Sequence, residues 1–409
     1  MPLPHGHRID APSRVAICGA GCAGLSAAVE LAEKIPGIDL TVFDAAHTPD
    51  TSKTWCSWAV RPHRFDDAVS DTWTRVRVRG GRHDTTIDAG RYPYSCIHAS
   101  DFVGRALERL QDRATLRWGS AVESISEDRS GVSLNLRAAG GQVRSESFDL
   151  VLDGRTPSKE SLQGHRSEPT LLQHFGGIRV RVPEGRIDTS VATLMDFEVD
   201  QGSGAHFMYV LPMRDGTVLV ESTLLTPPGF EPVDYESHAT AYLDRELGVV
   251  SPEVVYRESG VLPMTLAALG QAATSRVWPI GTRAGVGRAS SGYAFDAIQR
   301  DTSRVAAALL GGRPRPRVPR SPLLSMLDRV LISWLAADPA AAPEVFGGLF
   351  ARCPPESLIR FLADEPTAGD LVRTMWAMPK LRTAAHATMS RAAWPRPRAA
   401  AVRERASLA

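Results

Sequence analysis

Near its start the chain carries a unit that few folds can accommodate. Val15 to Cys18 is a short apolar run, Gly19-Ala-Gly21-Cys-Ala-Gly24 follows at once, and Leu25 to Glu33 continues with helical composition and spacing. A second short strand, Leu40 to Phe43, ends in Asp44, twenty residues beyond the last glycine. A strand before, a helix after and an acid at that offset make G-x-G-x-x-G a dinucleotide fingerprint rather than a chance run of glycines. The glycines permit a tight turn and close approach of a pyrophosphate to the helix N-terminus. Asp44 is placed to accept hydrogen bonds from an adenosine ribose.

A second glycine-rich turn comes late in the chain. The short strand Arg276 to Ile280 leads into Gly281-Thr-Arg283-Ala-Gly285-Val-Gly287, then Ser290-Ser-Gly292-Tyr293-Ala-Phe295 and a helix from Ala297 to Leu310. A long dinucleotide such as FAD needs such a turn for its ribityl and isoalloxazine end, so the two turns together favour FAD over NAD. Phe148 to Arg155 is an apolar strand ending in Asp153-Gly-Arg, of the kind that returns a chain to a nucleotide sheet. At 409 residues the chain exceeds what one core usually carries. The fold class read from this is α/β: a Rossmann-type FAD-binding lobe (residues 12–159 and 273–320) with an inserted antiparallel-sheet substrate lobe (160–272). A helical C-terminal region (321–385) and a basic, disordered tail (386–409) complete the chain. Leu323, Leu324, Leu327, Leu331 and Trp334 give the helical region one apolar stripe, which reads as core.

Within the insertion, Thr193 to Thr226 reads as strand, turn, strand, turn, strand. Its most apolar strand carries one carboxylate, Glu221, on the same face as Thr217, Leu219 and Thr223, with Val218, Val220, Ser222 and Leu224 opposite. Burial there would raise its pKa and let it hold a proton near neutrality, as a general acid must. The plainer reading is a partly exposed Glu paired with an arginine. Thr48 to Pro62 shows little periodicity; a helical turn there would put Trp55 and Trp58 on one face, lining a cavity or filling core. Ser100-Asp101 is a candidate N-cap for a helix from Phe102 to Gln111.

The net charge of +1 gives no electrostatic reason to expect nucleic acid. The five cysteines form no metal-ligand pattern, and their odd number argues against a disulfide framework, so no metal and a reducing, cytoplasmic setting are expected. The first residues lack the apolar core of a signal peptide, and no apolar run approaches the roughly 18 residues of a spanning helix. The tail from Trp394 to Arg405 is either disordered, the reading preferred here, or a weak peripheral anchor to anionic lipid.

From Gly19 to about Pro379 the sequence resembles the bacterial lycopene beta-cyclases, a branch of the FAD-dependent carotenoid enzymes. The resemblance rests on GAGCAGLSAA, TWCSW, VLDGR, LQHFGG, LMDF, FMYVLP, VLVEST, ESGVLPMT, SSGYAF with IQR, and LIRFLADE, in order and at the right spacing. It implies a redox-neutral reaction requiring reduced FAD, with NAD(P)H as reductant and a hydrophobic polyene or polyprenoid as substrate. An acid protonates a terminal isoprenoid double bond, a neighbouring double bond captures the cation, and proton loss leaves a cyclohexene ring. The family's essential acid falls on Glu221; Asp196 in LMDF and Glu258 in ESGVLPMT fall on family-typical acids with support or relay roles. Cofactor contacts are expected from Gly19, Gly21, Gly24, Asp44, Trp55, Asp153, Gly281, Arg283, Gly285 and Gly292. Substrate contacts are expected from Phe207, Tyr209, Tyr293 and Phe295. Ser57 replaces a family aromatic and Ala289 a proline, which bears on pocket shape more than on chemistry. The alternative on the same lobe is a flavin-dependent monooxygenase or dehydrogenase acting on a hydrophobic lipid.

Overall fold

The computed structural model describes residues 13–378, apart from 139, 158–167, 203, 231–232, 268 and 271. The tail expected from residue 386, and the helical region beyond 378, lie outside the described residues. In chain order come β1 (Arg14–Cys18), α1 (Cys22–Lys34), β2 (Asp39–Phe43), β3 (Thr54–Trp58), β4 (Asp71–Trp73), β5 (Arg75–Gly80), β6 (His83–Asp88) and β7 (Tyr94–His98). Then follow α2 (Ala99–Leu110), β8 (Thr115–Arg117), β9 (Ser120–Glu127), β10 (Val132–Ala138), β11 (Val143–Phe148) and β12 (Leu150–Asp153). The next stretch holds β13 (Thr170–Arg181), β14 (Val191–Asp196), β15 (Ala205–Pro212), β16 (Thr217–Thr226), α3 (Tyr235–Leu247) and β17 (Val254–Thr265). The chain closes with β18 (Val277–Pro279), α4 (Phe295–Leu310), α5 (Pro322–Ala337), α6 (Ala342–Arg352), α7 (Pro355–Leu362) and α8 (Ala368–Ala377).

Five strands form a parallel sheet in the order β18-β12-β1-β2-β8. Its centre is covered on both faces, which is why β1 is apolar at successive positions. Val15 and Ile17 pack with α1 and α4, whereas Ala16 and Cys18 pack with the β9–β11 meander. Burying each larger aliphatic there is worth about 1.5–3 kcal/mol.

The second sheet has seven strands, in the order β17-β13-β16-β15-β14-β5-β6. Thr193 to Thr226 supplies β14, β15 and β16, the three strands its pattern predicts. One face packs on α3 through Ile178, Val180, Met208, Val210, Val218 and Val220. The other lays Val76, Val78, Leu211 and Leu219 against the small sheet β3-β7-β4 and the C-terminal helices α6 and α7. This sheet is not confined to the insertion. β5 and β6 join its far edge, with β5 parallel to β14, because the alternation Arg75-Val-Arg-Val-Arg buries Val76 and Val78 only on a one-sided sheet.

Two local expectations are corrected. TWCSW is not a helical turn but strand β3, paired with β7, as its Thr and Trp content favours. A period of two then separates its tryptophans: Trp55 meets Phe102 and Phe295, and Trp58 meets Tyr94. Helix α2 begins at Ala99 with His98 as N-cap, so Ser100 and Asp101 lie inside its first turn. β7 runs directly into the helix, and Asp101 instead complements the positive helix end.

Candidate active site

The glycines of the first turn answer to different demands. A Cβ on Gly24 would collide with the carbonyl oxygen of Gly19, so the fold itself requires that glycine. A Cβ on Gly21 would meet nothing within 4 Å, and Gly21 has φ −76°, which any residue adopts. Packing does not explain Gly21, and the open space beside it leaves the backbone there accessible to a ligand. Gly21 is also the N-cap of α1 and offers no side-chain acceptor, so the helix's first N–H groups stay available to an anion. Asp44 closes the turn from β2, accepting from the Ala20 N–H at 2.7 Å and the Ala46 N–H at 2.8 Å.

The second turn is pressed against the first. A Cβ on Gly281 would lie 2.5 Å from that of Ala23 in α1. Arg283 donates to the Arg155 and Thr156 carbonyls at 2.9 and 3.2 Å, and Asp153 takes two hydrogen bonds from the Arg155 guanidinium at 2.8 and 2.9 Å and one from the Arg155 N–H at 3.2 Å. Gly285 and Gly292 follow on the way to α4, whose N-cap, Ala294, likewise supplies no acceptor. Trp55 stacks on Phe295 at 6.0 Å, beside that helix start. Two uncapped helix ends, a turn with room above Gly21 and an acid at the second strand fit a long dinucleotide.

The second turn also lies against the large sheet. A Cβ on Gly292 would be 3.3 Å from Gln173 Oε1 and 3.5 Å from a Leu262 methyl. Gln173 precedes Gly177 by four residues in β13, hence on the same face. On that face Glu221 of β16 and Glu258 of β17 both stand directly opposite Gly177, and Tyr209 of β15 stands opposite Glu221. Glu221 is 8% and Glu258 6% exposed. Thr223 donates to Glu221 Oε1 at 2.9 Å. Burial, and next the charge of Glu258, push the Glu221 carboxyl well above the usual carboxylate range. Burial also pushes Glu258 up, to about 7, but Thr54, Lys53 and Arg179 pull against it. Glu258 Oε1 is buried with no hydrogen-bond partner among the described residues.

Three hydroxyls link this face to the second turn. Tyr94 lies 2.9 Å from the Tyr209 hydroxyl and receives a hydrogen bond from Tyr293 at 3.3 Å. Trp58 packs on Tyr94, with ring centroids 4.8 Å apart. Phe207, two residues from Tyr209, turns to the C-terminal side and meets Phe197 at 5.4 Å. Asp196 is not brought to Glu221. Its partner across the sheet is Met208, on the α3 face, and its oxygens are taken by Arg79 (2.9 Å) and by Tyr242 of α3 (2.8 Å). Gly177, Thr223, Tyr94, Lys53, Thr54 and Arg179 were not singled out from sequence. A glycine inside a strand pattern is the signal that points to Gly177, since it marks close approach of a neighbour.

A family model described as "Lycopene cyclase protein" matches residues 14–388. The chain is 26% identical over 396 residues to a lycopene beta-cyclase of Paracoccus sp., covering 90% of this chain and 94% of that one. It is 24% identical over 382 residues to a lycopene beta-cyclase of Pantoea ananas, covering 89% and 94%. Among solved structures, a flavoprotein/dehydrogenase from Cytophaga hutchinsonii superimposes with a TM-score of 0.63 at 10% identity, over 93% of this chain and 98% of that one. Klebsiella pneumoniae HpxO, complexed with FAD and uric acid, does so with a TM-score of 0.60 at 15% identity, over 91% and 100%. These structural likenesses establish the flavoprotein fold.

Proposed function

The chain belongs to the lycopene cyclase family, and from that premise we propose that it is an FAD-dependent, redox-neutral cyclase of a linear polyene, with lycopene the first candidate. Glu221 is the observation that carries this reading: a buried carboxyl whose pKa burial pushes up, on the sheet face that meets the second glycine turn. An alkene is weakly basic, so its proton donor must be a neutral acid shielded from water. Protonation of the terminal double bond at its less substituted carbon leaves a tertiary cation. The neighbouring double bond attacks that cation and closes a six-membered ring, and loss of a proton beside the new cationic centre leaves the cyclohexene.

Tyr209, Tyr94 and Tyr293, with Trp58, offer π faces to the cation. Phe207 and Phe295 are taken as apolar contacts for the polyene. Asp196 is assigned to joining the sheet to α3, since Arg79 and Tyr242 occupy its oxygens. FAD would be held by Gly19, Gly21, Gly24 and Asp44 at its ADP half, and by Trp55, Asp153, Gly281, Arg283, Gly285 and Gly292 in its remainder; bound and reduced, it would supply electron density that stabilises a cation. NAD(P)H is the proposed source of its electrons. No helix of the described residues is long and apolar enough to cross a membrane, so access to a membrane-borne polyene is proposed to be peripheral.

The test compares wild type with Glu221→Gln under anaerobic conditions, using FAD reduced once with dithionite and lycopene in detergent micelles. Wild type should close many rings per flavin with no change in product mass. Glu221→Gln should bind FAD and lose about 10⁴-fold in turnover, the upper end for general acid catalysis. If wild type closes no ring under these conditions, and in a parallel assay with NAD(P)H and air consumes one NAD(P)H per product or gives a product heavier by oxygen, the monooxygenase or dehydrogenase is favoured instead.

A further inference from the structure

Glu221 and Glu258 come from different strands and stand on one face, and the strand between them has no side chain there. Each is the direct cross-strand partner of Gly177. A Cβ at position 177 would sit 3.0 Å from Glu221 Cβ and 3.2 Å from its Cα, so a side chain there would crowd Glu221. Their surroundings differ. Glu221 has the Thr223 hydroxyl and the Tyr209 side chain for company. Glu258 has two cations within electrostatic reach, both fixed. Lys53 Nζ donates to the carbonyl of Ser259, the next residue, at 2.8 Å, and Arg179 is held by Thr217 at 2.6 Å and Asp215 at 2.5 Å. Paired carboxyls in unlike environments divide into an acid and a base.

We propose that Glu258 is the base of the reaction: it takes the proton lost by the cyclised cation and returns it across Gly177 to Glu221. The proposal rests on the cyclase reading with Glu221 as donor. Its free, buried Oε1 is the acceptor atom. Protons balance without a co-reactant. Glu221 gives one proton to the alkene and becomes a carboxylate; the ring C–H bond breaks, its electron pair forms the new double bond, and its proton goes to Glu258. Transfer from Glu258 to Glu221 restores both groups.

The experiment is single turnover of lycopene in D₂O, with FAD reduced by dithionite, for wild type, Glu221→Gln and Glu258→Gln. Flavin absorbance and gel filtration check that each variant is folded. Glu258→Gln should still protonate the substrate but fail to finish. Normal ring should fall by at least 100-fold, replaced by a ring with a displaced double bond or a hydroxyl, or by recovered lycopene carrying deuterium at its terminal alkene. Glu221→Gln should return unlabelled lycopene. If Glu258→Gln makes the normal ring within a few-fold of wild type, Glu221 serves as both acid and base and the proposal is overturned. Unlabelled, unreacted lycopene from Glu258→Gln overturns it too, since Glu258 is then needed before any proton moves. If wild type closes no ring, the cyclase reading fails and the proposal falls with it. Should the glutamine variant not bind FAD, Glu258→Asp is read in its place: a base set back by one methylene should give the same diversion or deuterium wash-in, and the normal ring at the wild-type rate overturns the proposal.

Discussion

Replacing Glu258 by glutamine should stabilise the protein, and only above the pH at which a free carboxyl ionises. Burial raises Glu258 from 4.5 to about 7. Each unit of difference between folded and unfolded chain is worth 1.36 kcal/mol, so wild type gives up about 3 kcal/mol once both states are ionised. The sign follows from proton binding: between pH 4.5 and 7 the folded protein holds a proton that the unfolded chain has released, and stability falls as pH rises. Below pH 4.5 both states are protonated and the penalty is absent. Glutamine does not titrate, so its advantage should be missing near pH 4, grow through that window and level off above pH 7. With an unfolding entropy of about 2.1 cal/mol/K per residue, 3 kcal/mol across this chain corresponds to about 4 °C in Tm. Any cost of placing an amide beside Thr54 and Lys53 is the same at every pH and drops out of the trend. Thermal melts of both proteins from pH 4 to 8, read by circular dichroism, provide the test. A Tm difference flat with pH, or one that narrows as pH rises, would refute a buried carboxyl with a raised pKa.

The two inner glycines of the first turn should separate folding from binding. Gly21→Ala should leave the apo melting temperature within about 1 °C, as for substitutions that touch nothing, while FAD affinity drops at least 10-fold by fluorescence titration. Gly24→Ala should cost about 3 kcal/mol or more, since the methyl meets a backbone carbonyl that cannot yield, and urea unfolding measures it. Tyr94→Phe removes the hydroxyl shared by Tyr209 and Tyr293. It should destabilise by about 1–3 kcal/mol, the cost of leaving buried hydroxyls short of a partner, measured by the same unfolding curves.

What could be read from sequence was local and periodic. The strand–turn–helix unit from Val15 to Asp44 and the run of three strands ending at Thr226 declare themselves within a few residues of chain. A period of two was enough to place Glu221 opposite Val220 and Ser222. What was hidden depended on partners distant in sequence. That Arg75 to Asp88 joins the large sheet follows from β5 lying beside β14, more than a hundred residues later. Asp196 is turned to α3 by a register shift in β14, which no local pattern announces. Gly177 stood in view as part of a motif, but its meaning lies in the two carboxyls of strands that flank it.

The order of strands in the parallel sheet sets a timetable for making the protein. β12 is laid down by residue 153, yet β18, its neighbour, begins at Val277, with the whole of β13 to β17 in between. At 5–20 residues per second on the ribosome, the first glycine turn waits roughly 15–50 s for Arg283 and α4. The latch comes later still: Arg288, between the second turn and α4, is buried against Asp328 of α5 and under the Phe361 ring of α7. During that interval the free edge of β12, buried at every position in the finished protein, is open to any passing strand. A chain halted after the substrate sheet would own the nucleotide fingerprint and have nothing with which to grip the far end of a cofactor. On the cofactor assignment proposed above, capture would come among the last events of synthesis, after an interval in which the edge of β12 is open to other strands.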